Sequence, residues 1–373
     1  MKKGLMTQFP YARGRAFVCK NIGDYIQSVA TRQFIDHVDE YIEQEEADKY
    51  FPEDKQKIRL IMNGWFQWRS ENWPPSEYIY PLLISMHISP LKAGHLLTPE
   101  GISFLKRYSP VGCRDYYTQN LLEAHGIPAY FSACMTLTLG KKYRVPDNQH
   151  KGVCVVDPYF EIPPAKSGIK NFVKAVFAFL RHMPGVLKLG RKEFFRVYSP
   201  SGFLDRSRSR LRPYYKAALF LDTYSKKFDV NMLLNAKYIT HWLDVDMSGS
   251  TKNDDLLNYA ESLVRTYASA GLVITSRIHA GLPCLAMDTP VVFIENREVV
   301  ADDGRFNVPG RLGGLLDFFR RLVLEDGLFT TEDEVFKNID KFGEHTLFKN
   351  KNNWRPYAKT LADKASSFMS DTD

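Results

Sequence analysis

Apolar residues in this chain come in short runs separated by patterns of helical spacing. The segment from Gly271 to Ile294, GLVITSRIHAGLPCLAMDTPVVFI, shows this most clearly. An apolar run (Leu272 to Ile274) stops at Thr275-Ser276, a short small and apolar helical pattern follows, and a second run covers Val291 to Ile294. That order predicts strand, turn, helix, strand, with Arg277 and His279 in the first turn of the helix. The first half alternates in the same way. A strand-like run at Ala16–Cys19 precedes NIGDYIQSVATRQF, where Gly23 permits a tight turn. Asp24 is placed there to cap a helix over Tyr25–Phe34, whose Ile26, Val29, Ala30 and Phe34 recur at helical spacing. Strands are predicted at Ile58–Met62 and Tyr80–Ile88, helices at Glu100–Lys106 and Tyr117–His125, and a strand in IPAYFSACMTLTL after Gly126. The polar stretch Gly140–Gly152 reads as a linker. Beyond it come a strand at Val153–Val156, apolar runs at Ala217–Leu221 and Tyr238–Thr240, and a helix over Asp255–Ala268. From about Thr331 the chain is polar, and it ends in a helical pattern, Pro356–Met369, that can fold back over either half. Strands alternating with helices imply an α/β protein with parallel sheets covered on both faces.

A length of 373 residues accommodates two domains with separate cores. The pattern divides into an α/β domain over 1–145, a second over 146–330 that holds the Arg-x-His motif, and a tail over 331–373. Hydrophobic and charged contents of 44% and 25% are ordinary for a globular protein. The abundance of aromatics (25 Phe, 20 Tyr and 5 Trp) suits stacking on sugars. Cys19, Cys113, Cys134, Cys154 and Cys284 show no C-x-x-C or zinc spacing, and their odd number and scatter fit buried or free thiols in a reducing compartment. No apolar signal core follows Met1-Lys2-Lys3, so a cytoplasmic location is expected.

The net charge of +7 conceals an asymmetry. Between Lys166 and Lys216 thirteen Lys or Arg face two acidic residues, Glu193 and Asp205, a local balance of +11 that leaves the rest of the chain at −4. Within it, Phe172, Val173, Val176, Phe177, Phe179 and Leu180 form an apolar helical face beside lysines. A basic amphipathic helix of this kind predicts peripheral contact with an anionic membrane surface; the alternative is a solvated basic face over a packed helix. Helix-turn-helix, zinc-finger and aromatic RNA-reading motifs are absent, which argues against nucleic acid.

The chemistry concentrates at Arg277 and His279. A helix N-terminus at the carboxyl end of a strand is an anion site in open α/β sheets. A guanidinium there adds a clamp for carboxylate or phosphate, and an imidazole adds a proton donor. The alternative is an arginine on a structural carboxylate and a satisfied core histidine. Pro283, inside this helix, withdraws one hydrogen bond from the carbonyl of His279 and is expected to distort the first turn.

These segments carry a family resemblance. NIGDYIQ, NGWFQW, WPPSEYIYPLLISMHI, PVGCRDYYT and YFSACMTLTL in the first half resemble the polysaccharide pyruvyl transferase family. So do YITHWLD, VITSRIHAGLPCLAMDTPVVFI and DDGRF in the second. The resemblance implies two Rossmann-like domains facing a cleft, as in B-type glycosyltransferases. It also implies transfer of a pyruvyl group from the donor phosphoenolpyruvate to two hydroxyls of one sugar, with no cofactor. Phosphoenolpyruvate carries a carboxylate and a phosphate, and its enol carbon must be protonated before an alcohol adds. Arg277 then clamps the donor, and His279 protonates the methylene carbon or the departing phosphate. The acceptor is expected to be lipid-linked or nucleotide-linked, in capsular or exopolysaccharide assembly at the inner face of the plasma membrane.

Asp24, Asp115, His87 and His241 are the candidates for the base that accepts the hydroxyl protons, each in a matching stretch near a predicted strand end. Their alternatives are a helix cap for Asp24, an ion pair with Arg114 for Asp115, and core positions for the two histidines. Asn21, Gly23, Arg114, Ser276 and Arg305 complete the substrate-binding candidates. Asp244-Val245-Asp246 has the form of a metal-binding D-x-D, but Arg-x-His chemistry needs no metal and none is assigned. Two rivals remain: a nucleotide-sugar glycosyltransferase of the same architecture, and a non-catalytic glycan- or membrane-binding protein.

Overall fold

The computed structural model describes residues 1–8, 11–12, 18–66, 69–163, 169–200, 204–205, 207–245, 252–296 and 312–370. Two six-stranded sheets organise them. The first contains β1 (Lys2–Thr7), β2 (Glu40–Glu43), β3 (Ile58–Phe66), β4 (Ile79–Ile88), β5 (Val111–Cys113) and β6 (Ala129–Phe131). Its spatial order is 2-1-3-4-5-6, and every pairing is parallel. The second contains β7 (Val153–Val156), β8 (Lys237–Ile239), β9 (Leu272–Thr275), β10 (Val291–Asn296), β11 (Arg321–Glu325) and β12 (Leu328–Thr330). It repeats the order as 8-7-9-10-11-12, with only β12 antiparallel. In this doubly wound order the chain reverses direction across the sheet between the first and third strands, and ligands bind at the carboxyl ends there. The two switch points are therefore the ends of β1 and β3 and the ends of β7 and β9.

Alternate residues of single strands feed different apolar layers, as the period of two requires. Leu5, Ile61, Cys154, Val156 and Val273 point into a middle layer between the sheets. Met6, Leu60 and Met62 point to the outer face of the first sheet, and Val155 and Ile274 to the outer face of the second. The middle layer is continuous. It is built from the helices Ile22–Arg32, Asn253–Ala268, Ile278–Ala286 and Arg355–Ser370 and the turn Met135–Thr138. Gly140 permits a close approach there, since a Cβ on it would stand 2.0 Å from the carbonyl oxygen of Ala286.

The C-terminal helix returns to the first sheet. Its Phe368 stacks on Tyr80 at 5.7 Å, and the Phe368 carbonyl accepts a 2.8 Å bond from the buried Arg59.

Several boundaries differ from the sequence reading. IPAYFSACMTLTL supplies only the strand Ala129–Phe131 and then the helical turn Met135–Thr138, because the buried Met135, Leu137 and Leu139 pack between the sheets rather than along one. Gly140–Gly152 is more than a linker: Gly140–Tyr143 forms a helical turn and Tyr143 is buried. Ala217–Leu221 lies within the helix Arg212–Tyr224. The helix Ile278–Ala286 runs through Pro283 unbroken. Ala16, Lys166, Asp246 and Arg305 lie outside the described residues; Asp244 sits exposed in the strand Trp242–Val245.

Candidate functional site

The second switch point is built first by sequence and then by hydrogen bonding. After β7 the chain turns at Asp157, held in the left-handed region at φ +38°. After β9 it turns at Ser276 and Arg277. Thr275 Oγ1 donates to the Val156 carbonyl at 2.9 Å and accepts the Arg277 N–H at 2.9 Å, locking the two strand ends together. Asp157 Oδ2 accepts from Arg277 Nε at 3.0 Å and from the His241 N–H at 2.9 Å. The guanidinium also lies 5.6 Å from the Trp242 ring. Arg277 is the N-cap residue of its helix rather than a first-turn residue; its backbone is extended, with φ −104° and ψ 125°. Ser276 is turned to the backbone, its Oγ accepting the Tyr159 N–H at 2.8 Å.

The first half enters through the helix Ile22–Arg32. Strand Val18–Asn21 pairs antiparallel with Trp242–Val245, Asn21 opposite Trp242, and the Ile22 N–H donates to the His241 carbonyl at 2.8 Å. Asn21, not Asp24, caps the helix, accepting the Gly23 N–H at 3.1 Å. The helix begins earlier than the apolar spacing predicts, which moves Asp24 into its first turn. Gly23 is required by crowding: a Cβ would lie 2.8 Å from His241 Nδ1 and 3.3 Å from His279 Cβ. Asp24 and His279 are each 6% exposed, with Asp24 Oδ1 3.7 Å from His279 Nδ1. This pair joins the carboxyl edges of the two sheets. Gln27 Nε2 donates to the same Asp24 oxygen at 3.4 Å.

Arg114 follows β5, its N–H bonded to the Met86 carbonyl at 2.8 Å. Its side chain is 1% exposed, and Nε and Nη2 have no hydrogen-bond partner among the described residues. The expected ion pair with Asp115 does not form. Asp115 instead caps the helix Tyr116–Ala124, accepting from Thr118 N and Oγ1 at 2.9 Å each, and binds His87 Nδ1 at 2.6 Å. His87 lies inside β4, and both partners are fully buried, so this pair fixes the β4–β5 junction. The buried Cys134 thiol senses Arg114 and Asp24 together: burial pushes it up, Arg114 draws it down and Asp24 adds to the rise. Arg114 and Asp24 thus act on one locality.

His241 is a core histidine. Its Nε2 is 2.8 Å from the Tyr267 hydroxyl, and burial lowers its pKa to about 4, with Arg277 adding to and Asp157 opposing the shift. Below pH 6.5 the unfolded chain binds a proton here that the folded chain refuses down to about pH 4. Stability is therefore predicted to fall on acidification through that window, by at most on the order of 3 kcal/mol. Urea melts of wild type and His241→Gln between those limits test this; equal slopes would refute it.

Asp157 carries no signal in the sequence beyond an acid after an apolar run, yet it organises the site. Its Oδ1 is buried with no partner among the described residues. Among these residues no cluster of three His, Cys, Asp or Glu has metal-binding geometry.

No curated protein and no solved structure matches the chain. A family model described as polysaccharide pyruvyl transferase matches residues 21–298, from the Asn21 cap past the Arg-x-His helix and β10, about three quarters of the sequence. The chain that sets Arg114 and Arg277 just beyond strand ends of its two sheets, and pairs Asp24 with His279, belongs to the polysaccharide pyruvyl transferase family.

Proposed function

We propose that this transferase moves a pyruvyl group from phosphoenolpyruvate to two hydroxyls of one sugar residue, forming a cyclic ketal during capsular or exopolysaccharide assembly. The observation that carries this reading is Arg114, a buried guanidinium with two nitrogens unpartnered among the described residues. A cation buried in this way costs several kcal/mol unless an anion completes it. Arg277, anchored through Nε, supplies a second cationic contact from the other sheet edge. In this reading the two sheets are the two Rossmann-like domains of a B-type glycosyltransferase arrangement, with the donor between their facing carboxyl edges.

The chemistry follows from the donor. The His279 imidazolium, beside the Asp24 carboxylate, gives its proton to the methylene carbon, which becomes the methyl group. One sugar hydroxyl bonds to the neighbouring carbon and releases its proton. Phosphate then departs with the former enol oxygen, and the second hydroxyl closes the ring. Of the two hydroxyl protons, one replaces that lost by the imidazolium and the other leaves on phosphate. In this reading Asp24, 3.7 Å from His279 Nδ1, relays the first. The acceptor is a lipid-linked or nucleotide-linked sugar on the cytoplasmic side of the membrane.

Thermal melting with phosphoenolpyruvate tests the reading. At about a hundredfold the dissociation constant, the donor adds roughly 2.7 kcal/mol to wild type. Arg114→Leu is expected to melt higher than wild type without ligand, because it removes an uncompensated buried charge, and to lose the response to donor. Stabilisation by a uridine nucleotide, with none by phosphoenolpyruvate, would replace this reading with nucleotide-sugar glycosyl transfer.

A further inference from the structure

Between Val173 and Arg181 the helix Ile169–Arg181 turns two alanines and Phe179 to the protein and a row of larger apolar residues to solvent; Phe179 thus leaves the outer face on which the sequence pattern placed it. Ala175 and Ala178 are buried, whereas Val173, Val176, Phe177 and Leu180 face outward, Phe177 and Leu180 being 67% and 63% exposed. Their spacing defines one helical face. The next helix, Met183–Gly190, buries Val186 and Leu189 and leaves Met183 and Leu187 exposed. An ordinary surface helix does the reverse, so the outer row is unexplained by folding of this chain.

Cations rim the row. Lys174, Arg181, Lys188 and Arg191 are all exposed. Arg181 has a carboxylate partner, Asp222 at 3.5 Å, and Glu193 is exposed nearby in sequence. We infer that this face docks on an anionic lipid bilayer, the apolar row entering the acyl boundary while the cations lie among the phosphate headgroups. The charge selects this occupant: two copies of the same basic face would bring like charges together, whereas an anionic bilayer complements them. No helix among the described residues is long and apolar enough to cross a membrane, so the attachment is peripheral.

The face also has a direction. Lys174 and Lys226 both reach Gly327, in the turn beyond the carboxyl end of β11. That is the sheet edge which carries Asp157 and Arg277. Docking therefore brings the site's edge of the second sheet toward the bilayer, where a lipid-borne substrate would be presented. The docking itself does not rest on the identity of the donor.

Flotation of the full chain with vesicles tests the inference. Wild type is expected to float with phosphatidylcholine–phosphatidylglycerol vesicles and to stay behind with phosphatidylcholine alone. Phe177→Asp combined with Leu180→Asp should weaken the anionic-vesicle binding about tenfold or more while leaving the melting temperature unchanged, because both side chains lie outside the core. Absence of wild-type binding, or binding indifferent to the double substitution, overturns the proposal. So does a wild-type dimer in light scattering that the substitutions dissolve without any vesicle binding, which would assign the face to a second copy.

Discussion

Lysine in place of Arg277 is expected to lower kcat/KM for phosphoenolpyruvate by about 10²–10³-fold, the cost of breaking one charge-assisted, two-pronged contact to an anion. The size follows from how the guanidinium is divided. Nε is committed to Asp157 Oδ2 at 3.0 Å, and the plane is steadied by the Trp242 ring. The two terminal nitrogens are left to present a planar fork to a carboxylate or phosphate. An ammonium has one nitrogen for both tasks: it can answer Asp157 or the donor, not both in the same geometry. Asp157→Asn keeps an acceptor but removes the charge that holds the fork, and should fall between wild type and Arg277→Lys. Steady-state kinetics with the donor varied decide this. A lysine variant within threefold of wild type would remove Arg277 from the donor site.

The second large effect is on the proton. His279→Asn should lower kcat by about 10²–10⁴-fold, the usual range for loss of a general acid, while donor-induced thermal stabilisation persists. The split matters because Arg277→Lys is expected to weaken both. Asp24→Asn is expected to share that split, since the carboxylate oxygen lies 3.7 Å from Nδ1 and acts on the reaction through the imidazole. A fall in rate matched by a fall in thermal stability would make Asp24 a packing residue.

The parts of this site legible in the sequence are those with a local signature. The strand Leu272–Thr275 and its helix announce themselves by an apolar run that breaks at two hydroxyl residues, and Arg277 and His279 sit where a doubly wound sheet binds ligands. Asp24 illustrates the limit. Apolar spacing starts its helix at Tyr25, but Asn21 takes the cap because its strand is pinned beside Trp242, more than two hundred residues away. No local pattern encodes that pairing. Asp115 and His87 were readable as polar residues in matching stretches, yet their mutual burial depends on the β4–β5 register. Asp157 was invisible for the same reason: its partners, Arg277 and the His241 backbone, come together only when β7 settles beside β8 and β9. The strand order repeated in the two sheets also emerges only from pairing.

The continuous apolar layer between the sheets has a consequence for how the protein handles its substrates. Leu5 and Ile61 from one sheet and Val273 and Phe293 from the other contribute to the same interior, and the C-terminal helix is keyed into it through Leu361, Ala365 and Met369. Parting the sheets wholesale would bring that interior into water, at about 1.5–3 kcal/mol for each large side chain uncovered. Admission of donor and release of product must therefore proceed at the rim, by local rearrangement around a fixed frame, rather than by the halves swinging apart.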